Sequence, residues 1–133
     1  MSAKPFLDTN VILYLLSEDI AKADCAEALL AQGGTVSVQV LNEAANVMTR
    51  KLRTDLDEIR GFLTGVRKFC DVVPLTIDTH DDALAIVRRY GFSIYDSLII
   101  AAAITAKCEI LYSEDLQSGQ QLGGRLTIIN PFS

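Results

Sequence analysis

Short β-rich runs alternate with longer helical patterns from one end of the sequence to the other. The runs are Pro5–Leu7, Thr35–Val38, Val72–Leu75, Glu109–Tyr112 and Leu126–Ile129. Between them, helical spacing covers Val11–Leu16, Ala21–Gln32, Val40–Leu52, Asp55–Phe69, Asp82–Tyr90 and Ile94–Lys107. Strands this uniformly apolar have no face to offer water, so the alternation predicts a parallel sheet covered by helices. Punctuation agrees with the boundaries. Gly33-Gly34 and Gly91 stand where helices must end in a left-handed residue. Thr79-His80-Asp81-Asp82 and Ser93-Ile94-Tyr95-Asp96 fit the capping box that opens a helix. The expected fold is a doubly wound α/β domain over residues 1–133, with its ligand site at the carboxyl ends of the strands.

Half of the 133 residues are hydrophobic and 22% are charged, enough apolar material for a buried core and too little bias for disorder. The longest apolar runs, Val11–Leu16 and Leu98–Ile104, fall far short of the roughly 20 residues that cross a bilayer. Asp8 and Asn10 interrupt the stretch a signal peptide would need to keep apolar. Cys25, Cys70 and Cys108 are odd in number and form no C-x-x-C pair, which reads as free thiols in a reducing, cytoplasmic setting. The net charge of −5 speaks against a general nucleic-acid binder. Yet Arg50, Lys51, Arg53, Arg60, Arg67 and Lys68 fall in one short stretch, so a basic surface can coexist with a negative total.

Four carboxylates stand at strand ends or on inward helix faces, where apolar or small residues are the ordinary occupants. The first strand runs into Asp8-Thr9-Asn10. Glu43 lies among Val40, Ala44, Val47 and Met48, and Asp96 shares a helix face with Ile99, Ile100 and Ala103. The fourth strand leads into Ser113-Glu114-Asp115. Singly, each has a local explanation: Asp8, Thr9 or Asn10 as a helix cap, Asp96 as the last member of a capping box, Asp115 as a turn residue. Glu43 is harder to explain locally, because a carboxylate beside an apolar stripe costs desolvation unless it is paired. Together they change the argument. Two carboxylates about 5 Å apart repel by roughly 3 kcal/mol at an effective dielectric near 20. A converging set of four therefore requires bound cations or protons. All-oxygen ligands suit a hard divalent ion, Mg²⁺ or Mn²⁺.

Other chemistries lack their parts. His80 is the only histidine and sits in an expected helix cap, so neither a Ser-His-Asp triad nor a zinc site can be assembled. Gly119-Gln-Gln-Leu-Gly123-Gly124 lacks the G-K-[S/T] ending of a phosphate loop. Arg53, Arg60 and Arg67 recur every seven residues along the Asp55–Phe69 pattern. They read either as a solvated helix face or as a surface that tracks a phosphate backbone. Arg50, Lys51 and Arg53 are the candidate contacts to such a backbone.

The acidic positions in this order and spacing, Asp8-Thr9-Asn10, Leu41-Asn42-Glu43, Tyr95-Asp96-Ser97 and Ser113-Glu114-Asp115, resemble the signature of the PIN-domain family. Within that family they are similar to the small bacterial VapC-type toxins of toxin–antitoxin pairs. The resemblance extends from Phe6 to the Asn130-Pro131-Phe132 ending. It implies a PIN-like three-layer α/β/α sandwich with a central parallel sheet, and a Mg²⁺- or Mn²⁺-dependent endoribonuclease. On that analogy Asp8 and Asp96 are central metal ligands, and Glu43 and Asp115 complete the catalytic acidic pocket. Thr9, Asn10 and Ser113 are its polar support. The resemblance further implies a homodimer and inhibition by a VapB-like antitoxin, while the short apolar runs lead to the expectation of no membrane association. A PIN-like module that binds RNA or protein without cutting is the alternative. Degenerate domains of that kind usually lose some acidic positions, and all four are filled here.

Overall fold

The computed structural model describes residues 3–133. Strand β1 (Phe6–Leu7) leads into helices α1 (Thr9–Tyr14) and α2 (Ile20–Ala31), and β2 (Gly34–Ser37) into α3 (Val38–Arg50) and α4 (Leu56–Arg67). Strand β3 (Cys70–Val73) leads into α5 (Ile77–Tyr90) and α6 (Ile94–Thr105), followed by β4 (Ile110–Tyr112), β5 (Gln121–Leu122) and β6 (Leu126–Ile129). The strands form one sheet in the order β3-β2-β1-β4-β6-β5. Every neighbouring pair is parallel except β5 and β6. The chain steps from β1 outward to β2 and β3, then returns to the other side of β1 with β4. Right-handed crossovers, the rule for parallel units, turn that reversal into helices on both faces, α1–α4 on one and α5–α6 on the other. The expected three-layer sandwich is the observed fold.

The core follows the apolar runs. Phe6, Val36, Leu111 and Ile128 come from four strands and are fully buried, and Ile12, Val40 and Ile100 pack on them from the helices. Helix α6 is buried continuously from Ile99 to Ala103, and its three alanines add little bulk between sheet and α5. Polar residues at the helix starts supply acceptors for free backbone N–H groups: Asp19, Ser37, Asp55, Thr76 and Ser93 each accept from the amide three residues on.

Several boundaries differ from the sequence expectation, each for an identifiable reason. Strand β3 is Cys70–Val73 rather than Val72–Leu75, because Pro74 has no N–H to continue a ladder whose register starts at Gly34↔Cys70. It is an edge strand with Asp71 and Val72 exposed, so the expectation of strands buried on both faces does not hold there. Helix α5 starts five residues earlier than expected. Its capping box is formed by Thr76 and Thr79, so Thr79 is the reciprocal partner rather than the cap, and His80 is an exposed residue of the helix itself. Arg53 precedes α4 with φ of 51°, so it does not share a helix face with Arg60 and Arg67. Of Gly33-Gly34, only Gly33 is left-handed. Gly34 opens β2, where a Cβ would stand 2.6 Å from Leu7 Cδ1. Strand β5, two residues between glycine turns, was too short to carry a periodic signal. The cysteines are free, with Cys108 buried and the Cys70 thiol pushed up to about 11, chiefly by burial. Among the described residues, no helix is long and apolar enough to cross a membrane.

Candidate active site

The reversal of strand order between β1 and β4 leaves a crevice beyond their carboxyl ends, the usual ligand position in such sheets. The register pairs Leu7 with Tyr112, so the next residues, Asp8 and Ser113, emerge side by side. The backbone confirms it, with the Asp8 amide donating to the Tyr112 carbonyl at 3.0 Å. Asp8 is only 7% exposed. One carboxylate oxygen accepts from the Thr9 amide at 2.7 Å, which caps α1, and the other accepts from the fully buried Ser113 hydroxyl at 2.8 Å. Ser113 Oγ in turn accepts from the amides of Asp115 and Leu116 at 3.2 and 3.3 Å, so one hydroxyl ties the β1 end to the turn after β4.

The other expected residues join this frame. Thr9 Oγ1 donates to Glu43 Oε1 at 2.7 Å, linking α1 to the middle of α3. Asn10 Nδ2 donates to Asp115 Oδ2 at 3.0 Å, and Asn10 Oδ1 accepts from the Glu114 amide at 3.2 Å. Asp96, half-buried, sits in the first turn of α6, where its amide donates to Ser93 Oγ at 3.1 Å. The local capping explanation of Asp8 is therefore correct as far as it goes. It leaves the second Asp8 oxygen, Glu43 and Asp115 unexplained.

Electrostatics place Asp8 and Asp96 each in the field of Glu43 and Asp115. The Asp8 carboxyl is pushed up from the ordinary 3.8 to about 6, first by burial, and further by the charges of Glu43 and Asp115, against the opposing bonds from Ser113 and Thr9. Asp96 is raised as well, first by burial and then by Asp115 and Glu43, while the Ser93 hydroxyl acting on its carboxylate, separately from the amide bond, opposes. Among the described residues, no lysine or arginine pairs with any of the four; the ion pairs are Lys22–Glu114 and Arg125–Glu109. Nor, among the described residues, do three Asp, Glu, His or Cys side chains form a ready-made cation cage. Unneutralised carboxylates repel, and here Asp8, Glu43 and Asp115 are each held by separate hydroxyl or amide partners. The donor set nevertheless fits a hard divalent cation. It is all oxygen, it carries uncompensated negative charge, and it contains a buried carboxyl that is costly to ionise without a cation.

A cleft of about 350 Å³ opens beside Glu43 and Asp115, lined by Thr9, Asn10, Leu13, Glu43, Asn46, Val47 and Asp115; Asp8 and Asp96 do not line it. It continues into an apolar groove of about 340 Å³ that shares Asn10, Leu13 and Val47 and adds Tyr14, Leu16 and Leu52. Arg50 and Lys51, at the end of α3, are exposed, as is Arg53 just beyond them. Arg50 lies seven residues, or about 10 Å of helix rise, from Glu43. None of the three contributes to the lining of the cleft.

Two groups escaped sequence reasoning. Glu114, the middle residue of Ser113-Glu114-Asp115, turns away from the cleft to Lys22 at 3.0 Å and to the Tyr14 hydroxyl, and those two bonds hold its carboxyl below the usual range. Gln39, buried on the first turn of α3, donates to Glu43 Oε2 at 3.2 Å. Its spacing of four residues from Glu43 was a readable signal, since such pairs face each other on a helix.

The PIN domain family model matches residues 6–118. The chain belongs to the PIN domain family. Solved structures with the same fold include a toxin–antitoxin complex from Klebsiella pneumoniae, at 16% identity and a TM-score of 0.72, covering 96% of this chain and 97% of that one. VapC20 of Mycobacterium tuberculosis, a sarcin–ricin loop-cleaving toxin, aligns at 21% identity and a TM-score of 0.66, covering 83% and 88%. VapBC2 from Rickettsia felis, bound to a DNA fragment from its promoter, aligns at 16% identity and a TM-score of 0.59, covering 83% and 86%. No curated protein sequence matches the chain significantly. In this PIN domain the matched segment contains all four acidic positions and the whole hydrogen-bond frame around Asp8.

Proposed function

We propose that this PIN domain is a divalent-metal-dependent endoribonuclease and the toxin of a type II toxin–antitoxin pair. The observation that carries the reading is Asp8: a buried carboxyl, raised to about 6, fixed by Ser113 and Thr9 in the field of Glu43 and Asp115. In this reading Asp8, Asp96, Glu43 and Asp115 hold Mg²⁺ or Mn²⁺. When bound, the ion supplies charge neutralisation at the scissile phosphate and activation of water. The chain's own residues supply the geometry. Thr9 and Gln39 orient the two Glu43 oxygens, Asn10 orients Asp115, and Ser113 orients Asp8 while fixing the turn that carries Asp115. The cleft admits the phosphodiester, and Arg50, Lys51 and Arg53 lie exposed beyond the Glu43 end to engage the RNA backbone. Hydrolysis leaves 5′-phosphate and 3′-hydroxyl ends.

The partner in this reading is a VapB-like antitoxin. Support comes from the neighbouring toxin–antitoxin complexes and from the apolar groove beside the site, where Leu16 and Leu52 stand 41% and 52% exposed. A homodimer completes the proposal and is read directly by light scattering. The deciding experiment is cleavage of a structured RNA by purified protein with Mn²⁺, Mg²⁺ or EDTA, beside Asp96→Asn. The expected result is metal-dependent cutting that is lost in Asp96→Asn while its melt stays cooperative. Full activity in that variant removes the proposed site. Absence of both cutting and ion binding in the wild type leaves the silent binding module.

A further inference from the structure

Gln39 is 6% exposed, and its side-chain amide makes two contacts with different elements. Nε2 donates to Glu43 Oε2 at 3.2 Å and to the Tyr95 carbonyl at 3.1 Å. Both partners only accept, so the orientation of the amide is determined: the NH₂ faces them and the oxygen faces away. The Tyr95 carbonyl belongs to the peptide group whose nitrogen is that of Asp96. That nitrogen donates to Ser93 Oγ at 3.1 Å. The peptide plane bearing Asp96 is thus held at its oxygen by Gln39 and at its N–H by Ser93. One buried amide therefore fastens the carboxylate on α3 to the backbone that presents the carboxylate on α6.

Packing alone does not account for a glutamine here. Its Oε1 is one of two buried side-chain polar atoms without a hydrogen-bond partner among the described residues. The other is Ser97 Oγ, two residues past Tyr95 in the same turn of α6. A methionine of similar volume would fill the space and leave no orphaned oxygen.

We infer that Gln39 is a positioning residue that sets the relative placement of Glu43 and Asp96, and through them the affinity of the site for a divalent cation. The inference rests on the nuclease reading and deepens it. Side chains that orient metal ligands contribute to affinity through geometry without touching the ion.

The test is calorimetric titration of Mn²⁺, without RNA, into wild type, Gln39→Met, Glu43→Gln and the double variant, with thermal melts of each. Gln39→Met is expected to melt cooperatively within a few degrees of wild type while its Kd for Mn²⁺ rises roughly 10–100-fold. In the Glu43→Gln background the same change is expected to cost clearly less, because one of the two groups it positions no longer ligates. A uniform loss in both backgrounds, or an unchanged Kd in Gln39→Met, overturns the inference while leaving the nuclease reading intact. A wild type that neither binds Mn²⁺ nor cuts RNA overturns both. If Gln39→Met does not fold, Gln39→Asn replaces it, keeping an amide one methylene too short to span both acceptors. Failure of both variants to fold assigns Gln39 to the core alone and refutes the inference.

Discussion

Asp8→Asn is expected to make the metal-free protein more stable while abolishing cleavage. The Asp8 carboxyl rises from the ordinary 3.8 to about 6 in the folded chain. At about 1.4 kcal/mol per pH unit, ionising it at neutral pH costs the fold roughly 3 kcal/mol. The sign follows from the direction of the rise. The cost is fully present above pH 6, fades as the folded chain takes up a proton between about 6 and 4, and is gone below the unfolded value. Asparagine removes the charge and keeps the acceptor for the Thr9 amide. It turns an NH₂ toward Ser113 Oγ, which must then accept rather than donate, at a loss of about 1 kcal/mol. The net gain is about 2 kcal/mol, or roughly 5–10 °C in Tm for a domain of this size. Circular-dichroism melts in EDTA at pH 7.5, 6 and 4.5 read it. Asp8→Asn should melt higher at pH 7.5, and the gap should close or reverse by pH 4.5. Added Mn²⁺ should stabilise the wild type and leave the variant nearly unmoved, because only the state that binds ligand gains from it. A variant that melts below wild type at pH 7.5 in EDTA, or a gap that is flat with pH, would refute the reasoning.

Two further substitutions probe the frame. Gly34→Ala places a Cβ 2.6 and 2.9 Å from Leu7 Cδ1 and Cγ, inside the core and next to Asp8. Overpacking should cost about 1–3 kcal/mol, read as a lower urea midpoint at unchanged slope; an unchanged midpoint would mean that Leu7 is free to move. Ser113→Ala removes the donor to Asp8 and the acceptor for two amides. It should destabilise by about 1–3 kcal/mol and push the Asp8 carboxyl further up. Carboxyl NMR titration measures that rise, and a fall would contradict the assigned hydrogen bond.

The parts that were legible in the sequence are those encoded locally. Alternating periodicity marks which face of each segment is buried, and that sufficed for the elements from Phe6–Leu7 to Leu126–Ile129 and for the layered α/β fold. The acidic residues were legible because they break that pattern, as Glu43 does beside Val40 and Ala44. The misplaced pieces were also local signals, outweighed by neighbours. Pro74 ends β3 early, Thr76 captures the cap of α5, and β5 is too short to show a period.

By itself, then, the sequence determined the order along the chain of the helices and of every strand but β5, and the four positions where carboxylates oppose apolar expectation. Tertiary structure alone decided what those carboxylates experience. Asp8 is buried and raised to about 6 because β4 lies beside β1 in a register that sets Ser113 next to it. Gln39 joins Glu43 to the peptide of Asp96 because α3 and α6 start at the same end of the sheet. The physical reason is range. Periodicity and capping are settled within a few residues, whereas desolvation, charge–charge repulsion and hydrogen bonding depend on groups about 100 residues apart, such as Asp8 and Ser113, that only sheet order brings into contact.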